Sequence, residues 1–237
     1  MRKPLRLFAD VREGWSHSSV LRFYSQRISE GFQEQEQELA DRYVSPEDSL
    51  LLVGGGGVRD AAAWAQRGNP ITVTDLSESM VQLARNHLGG ERARHHFAAA
   101  NAVALPFREN FFAHVVFCDG VYCHIPGRAL RVRVLRDAAR LVKQGCLIVY
   151  ASWLRPSRAS VLPRSFQRLR VWKQWLSGNF SAREPGDARL RRLIPDAKLS
   201  RPCFYHYFQG PDEIEHELRE TGLRLLDRLG GIWVLKS

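Results

Sequence analysis

From Ser49 to Ala65 the chain reads SLLLVGGGGVRDAAAWA. An unbroken apolar run, four consecutive glycines and an alanine-rich stretch follow one another without a spacer. The apolar run fits a strand buried on both faces. The stretch RDAAAWAQRG (59–68) fits a helix stopped by Gly68. A strand that passes through bare backbone into a helix aims N–H groups and a positive helix end at one point. Glycine then lets a ligand approach the main chain closely. A tight turn with no ligand fits the same letters, so the rest of the chain has to decide.

The pattern continues in kind. ITVTD (71–75) reads as a second strand, and Ser77 stands where it caps a helix, SESMVQLARNHLGG, that ends at Gly89 and Gly90. HHFAAANA (95–102) holds a third strand and FFAHVVFCDG (111–120) a fourth. ALRVRVLRDAARLVKQG (129–145) is an amphipathic helix, and CLIVYAS (146–152) is a fifth strand. Strand–helix alternation at this spacing predicts an α/β protein: a doubly wound, Rossmann-like parallel sheet with helices on both faces. Near the end, PDEIEHELRETG (211–222) reads as a helix with Pro at its start and Gly past its end. LRLLDRL and GIWVLK around Gly230–Gly231 read as a hairpin, which makes a seven-stranded sheet with an antiparallel last strand.

Four stretches follow from this reading. Residues 1–48 form an N-terminal helical segment, divided near Gly31, and 49–152 form the Rossmann-like core. Residues 153–202 break the rhythm with a basic, Pro-punctuated cap insertion carrying a short helix around 164–176. Residues 203–237 complete the core sheet.

Net charge is +10 over 237 residues, which favours anionic partners such as RNA, DNA, a phosphorylated metabolite or an acidic membrane without choosing among them. No apolar run approaches the length of a membrane span, and the basic start MRKPLRLFADVREG carries too short an apolar stretch for a signal peptide. Cys118, Cys123, Cys146 and Cys203 form no CxxC pair, and the chain reads as a cytoplasmic protein with reduced, buried thiols. The spacing of Cys118, Cys123 and His124 matches no usual zinc pattern, so no metal is expected.

The glycines alone also fit a dinucleotide fingerprint loosely, through Gly55-x-Gly57, but Asp60 occupies the place of its third small residue. About twenty residues after the glycines, Asp75 ends the second strand, where a carboxylate accepts ribose hydroxyls. The third segment separates the possibilities. NAVALPFRENFFAHVVF (101–117), DGVYCHIP (119–126) and RLVKQGCLIVYAS (140–152), taken with the glycine turn, resemble the class I S-adenosylmethionine-dependent methyltransferases of the type 11 kind. The resemblance covers about residues 49–152 and, more loosely, 204–236. It implies S-adenosyl-L-methionine as cofactor, with Gly54, Gly55 and Gly56 at the turn, Asp75 on the ribose, and Leu76 and Met80 near the adenine. Asn101 stands where the family has Asp for the adenine amino group, and its amide carbonyl accepts the same bond. Ala102 offers its backbone N–H to the ring.

The glycine-loop motif diverges at two positions. Leu52 stands in place of an acidic residue that helps hold the cationic amino-acid end of the cofactor, a duty that Asp119 is placed to take over. Val58 stands in place of the third glycine, with Gly57 left to keep the loop shape. Methyl transfer needs alignment, and for a hydroxyl or protonated amine it needs a base. Asp119, Tyr122 and His124, after the fourth strand, are the catalytic candidates, with His206 and Tyr207 in CFYHYF as further ones. The expected activity is transfer of a methyl group to O or N of a small metabolite or natural-product intermediate. Two alternatives stand beside it. The order IVYASW, basic insertion, FYHYF, DEIEHEL is similar to the tRNA wobble-uridine carboxymethyl methyltransferases, which makes RNA a possible partner. The losses at Leu52 and Val58 also fit a non-catalytic protein of the same fold. No membrane partner is expected.

Overall fold

A strand buried on both sides needs a neighbour on each edge and a helix layer on each face, and β1 (Leu50–Val53) has all four. In the computed structural model, which describes residues 2–90, 94–118, 120–150, 184–195, 198–208 and 210–236, β1 pairs in parallel with β2 (Ile71–Asp75) and with β4 (His114–Phe117). Leu50 stands opposite both Ile71 and His114. β3 (His96–Ala99) continues the parallel sheet beyond β2, and β5 (Leu147–Tyr150) continues it beyond β4. β9 (Ile232–Lys236) lies antiparallel against β5, and β8 (Arg224–Leu229) closes the edge. The order is β3-β2-β1-β4-β5-β9-β8, seven strands with the last antiparallel, as the sequence predicts.

Alternation along β1 divides the core in two, since successive side chains point to opposite faces. Leu51 and Val53 pack with Phe117, Leu135 and Trp233 on the side of α6 (Arg128–Ala139) and α7 (Pro211–Glu220). Leu50 and Leu52 pack with Leu39, Ala61 and Trp64 on the side of α3 (Glu34–Tyr43) and α4 (Arg59–Gln66). Each such side chain contributes roughly 1.5–3 kcal/mol by leaving water. Ser77 caps α5 (Glu78–Leu88) through Oγ, which accepts from Met80 N at 3.2 Å. All four cysteines are buried free thiols.

Two features depart from the sequence reading. The N-terminal segment holds three helices, α1 (Arg2–Trp15), α2 (Ser18–Ser25) and α3, with α1 laid along a ribbon outside the main sheet. That ribbon pairs β6 (Asp187–Arg192) with β7 (Lys198–His206). Residues 203–206 therefore belong to the ribbon, and completion of the core sheet begins at Pro211. The helix expected around 164–176 lies outside the described residues.

Candidate active site

The parallel strands end on one edge, and the turns there form a single cleft. β1 ends at Gly54, whose φ of +74° is the left-handed conformation that glycine adopts without strain. Its N–H donates to Thr74 O at 2.7 Å, and a Cβ at this position would stand 2.7 Å from the Val121 side chain. Gly56 is closed in the same way: a Cβ there would meet Met80 at 2.6 Å and Asp75 Oδ2 at 2.8 Å. The turn's second positive φ, one that a glycine would take without strain, falls on Val58, at +72°, and not on Gly57. Gly57 instead lies against the ring of Tyr24, so it does not make good the lost glycine as the sequence suggests.

Asp75 ends β2 and turns toward the glycines. Its Oδ2 accepts from Gly56 N at 3.2 Å and its Oδ1 from Ser77 N at 2.9 Å. Burial pushes its carboxyl from the ordinary 3.8 up to about 6, against the pull of those backbone N–H groups. Each oxygen keeps a lone pair for a further donor. Next around the cleft come Leu76, then Ala100, Asn101 and Ala102 after β3. Asn101 Oδ1 accepts from Val103 N at 3.1 Å, which fixes the amide and leaves its carbonyl one more acceptor position.

After β4 the chain makes a 3₁₀ turn, Val121–His124. At three residues per turn, 121 and 124 share a face. Val121 and His124 accordingly line the cleft, while Tyr122 points into the core. His124 Nδ1 donates to Phe204 O at 2.6 Å, which leaves the lone pair on Nε2. Burial lowers the pKa of this imidazole from 6.5 to about 4, so it is neutral across the physiological range. Tyr122 is a correction to the sequence reading. It is fully buried, stacks on Phe208, donates its hydroxyl to Glu217 at 2.5 Å, and does not line the cleft. Burial and the Glu217 charge push its pKa well above the usual range, which removes it as a base.

The sequence candidates Gly54, Gly55, Asp75, Leu76, Asn101, Ala102 and His124 thus meet in one cleft. Gly56 and Met80 stand behind its wall, holding Asp75 and the turn in place. Asp119 lies outside the described residues. His206 is buried in the ribbon with Nδ1 at 2.8 Å from Asp187 and is not part of the cleft wall. Donor atoms of Glu184, Asp187 and His206 lie within 4.8 Å of one another, but the Arg131 guanidinium already occupies Glu184 at 2.7 Å.

Sequence reasoning missed the roof. Phe8, Val11 and Trp15 of α1 and Tyr24 of α2 close over the glycine turn, leaving a cavity volume of about 80 Å³. Trp15 meets Tyr24 at 5.4 Å and the edge of His124 at 5.5 Å between ring centres. Ser16 Oγ and Ser77 Oγ, 2.8 Å apart, pin the end of α1 to the start of α5. The signal was present: positions 8, 11 and 15 fall on one helical face. Arg59 and Asp60, in the first turn of α4, also line the cleft.

These residues fit an adenosine: a carboxylate at one strand tip, glycines at the next, apolar walls, and a fixed amide at the third. Comparison with known proteins agrees. Residues 51–150 match the model of the methyltransferase domain family. The ubiquinone biosynthesis O-methyltransferase of Nitrosomonas europaea is 25% identical over 177 residues, 75% of this chain and 64% of that protein. A ubiquinone/menaquinone biosynthesis C-methyltransferase of Acidiphilium cryptum is 33% identical over 104 residues, 42% of this chain and 40% of its own length. The chain thus spans just under two thirds of the first of these relatives and less of the second. In fold, a SAM-dependent methyltransferase from Methanosarcina mazei superposes with a TM-score of 0.60 at 16% identity, covering 86% of this chain and 96% of that one. Among the described residues no helix is long and apolar enough to cross a membrane. Over residues 51–150 the chain is thus similar to the methyltransferase domain family, and its strand order is that of the solved methyltransferase it superposes on.

Proposed function

We propose that this chain transfers a methyl group from S-adenosylmethionine to an oxygen or nitrogen of a small, largely apolar acceptor. One observation carries the reading: the Asp75 carboxylate and the Gly54–Gly57 turn form one wall of a cleft whose opposite wall is aromatic. When bound, the cofactor supplies an electrophilic methyl group on a sulfonium. Asp75, Leu76, Asn101 and Ala102 would hold its adenosine. The chain's other work is alignment and exclusion of water, and Phe8, Val11 and Trp15 do both by covering the cleft. The neutral Nε2 of His124 accepts a hydrogen bond from an acceptor hydroxyl and orients it. With a conjugate acid near pH 4 it is a weak proton acceptor, so it positions more than it deprotonates.

Apolar and aromatic cleft walls favour an acceptor with a flat apolar body, and the two quinone-pathway relatives lend weight to that choice. Calorimetric titration with S-adenosylmethionine and S-adenosylhomocysteine tests the first half of the proposal. Heat of binding is expected for both, and none for either would mark a non-catalytic member of the fold. Incubation of the protein with labelled cofactor and a panel of phenols, amines and transfer RNA tests the second half. Label in the small molecules is expected, and label in RNA alone would overturn the acceptor class.

A further inference from the structure

α1 is clipped to the ribbon by charge. The helix carries two acidic residues, Asp10 and Glu13, one turn apart, and both reach β6 or β7. Arg189 Nη1 donates to Asp10 Oδ2 at 3.2 Å, and Asp10 is buried. Ser200 Oγ donates to Glu13 Oε1 at 3.0 Å, and Arg201 Nη1 lies 3.5 Å from Glu13 Oε2. Beside these pairs Leu7 and Val11 pack on Leu199, Cys203 and Phe204. Gly14 allows the close approach: a Cβ there would stand 3.2 Å from Leu199 Cδ1 and 3.5 Å from Cys203 Cβ.

Past Trp15 the helix breaks. His17 is extended, at φ −68° and ψ 134°, and α2 starts after it. α2 is seated on the core, with Val20 and Met80 packed together and fully buried. A break between a helix seated on the core and a helix clipped to a ribbon is a place for a hinge. A nucleoside on Asp75 and Asn101 would have Phe8, Val11 and Trp15 across from it. The cavity volume between them, about 80 Å³, is small beside the roughly 300–1,000 Å³ of pockets that bury drug-sized ligands. Such a ligand passes when α1 gives way.

We propose that α1 is a gate over the cleft, swinging at Ser16–His17 and held shut against the ribbon by the Asp10–Arg189 and Glu13–Arg201 pairs. The proposal rests on the cofactor reading above and concerns passage of the ligand, not its contacts once seated. The Glu13–Arg201 pair is open to solvent, so it is weak and screened by salt, which suits a contact that breaks and re-forms.

The geometry supplies its own lock. Disulfides span Cβ separations of about 3.5–4.5 Å, so Gly14→Cys is placed to bond the native Cys203. The full chain carrying this substitution is oxidised with diamide, the bond is confirmed by mass, and stopped-flow fluorescence follows entry of S-adenosylhomocysteine. The oxidised protein is expected to take up the ligand at least about tenfold more slowly than the same protein reduced with dithiothreitol, because the open form is removed. Equal association rates overturn the gate. Slower release with unchanged entry overturns it as well, since α1 would then be a wall of the seated site. Where the disulfide does not form, Asp10→Asn decides. Loss of the charge pair should speed association about two- to tenfold, the worth of one net hydrogen bond, and an unchanged rate overturns the proposal. A wild-type protein that binds no S-adenosylhomocysteine overturns the cofactor reading and the gate with it, whereas failure of the gate alone shows in the rates with binding intact.

Discussion

Two groups of buried and half-buried polar side chains lie on opposite sides of the turn after β4, and they are built on different rules. Behind the turn, Arg131 of α6 is bidentate to Glu217 of α7, at 2.9 and 2.7 Å, and its Nη2 reaches Glu184 ahead of β6 at 2.7 Å. Tyr122 closes the group on Glu217, and Phe208 lies 5.4 Å from the guanidinium. Burial alone would depress the Arg131 pKa, and the two glutamates outweigh it and raise it. In front of the turn, the side chains of Asp75 and His124 hydrogen-bond, among the described residues, to oxygen and nitrogen of the backbone alone. Burial wins there and moves both toward neutrality, Asp75 up and His124 down. Full pairing makes a latch between core and ribbon, and partial pairing leaves acceptor capacity facing a cleft.

The largest effect expected from this contrast is on stability. Glu217→Ala leaves Arg131 and the Tyr122 hydroxyl without their buried partner and should cost about 3–5 kcal/mol in chemical denaturation. Affinity of the remaining folded protein for S-adenosylhomocysteine should stay within about twofold. A variant that folds normally but loses the ligand would reverse the assignment of the two groups.

Asp75→Asn is the converse. Loss of a charged acceptor for the ribose hydroxyls should weaken S-adenosylhomocysteine by about ten- to a hundredfold. Unfolding free energy at neutral pH should change by no more than about 1 kcal/mol, because the buried charge it removes was itself unfavourable. Unchanged affinity would take Asp75 out of the site.

The fold was legible because the strands are short apolar runs punctuated by Gly, Ser and Pro, and the parallel topology follows from their alternation with helices. β1, β2 and the cap of α5 lie where the letters place them. Asp75 was legible for the same reason, as the last residue of a strand next to glycines. Tyr122 and His124 were not separable from sequence. Two residues apart in a strand they would share a face, but the chain leaves β4 in a 3₁₀ turn, which puts them on different ones. Asp60 was hidden by its motif position, where it reads as a defect in a fingerprint. The roof was hidden by distance: α1 reaches the cleft only because the ribbon, some 185 residues later, gives it something to pack on through Leu199, Cys203 and Phe204.

The unequal pairing also sets pH dependence. Asp75 titrates at 3.8 unfolded and about 6 folded, so its stabilisation is complete below 3.8 and lost as pH rises through 6, a difference of ~3 kcal/mol. His124 runs the other way: its contribution is complete above 6.5 and lost as pH falls through about 4. Ligand binding isolates the first group, because a ribose hydroxyl donates best to the ionised carboxylate. Affinity for S-adenosylhomocysteine should therefore rise between pH 5 and 7, by at most about tenfold per pH unit, and Asp75→Asn should be flat over that range. The same slope in both proteins would assign the titration elsewhere.

The smallest effect tests the strain that the cleft side carries and the latch side does not. Val58 is buried against Ala61 and Trp64, yet its backbone sits at φ +72°, ψ −40°, where a β-branched side chain crowds its own main chain. Two opposing contributions act at this position, apolar burial favouring valine and backbone conformation favouring glycine. Alanine has neither advantage, since it loses most of the buried surface and keeps a Cβ in a left-handed turn. Val58→Gly should therefore be more stable than Val58→Ala by about 1 kcal/mol, the reverse of the order found in helices and strands. Thermal unfolding of the two variants side by side measures it. Alanine above glycine would mean that the turn relaxes to an ordinary conformation once the valine is gone, and that burial of Val58, not the turn, dictates the shape of the glycine loop.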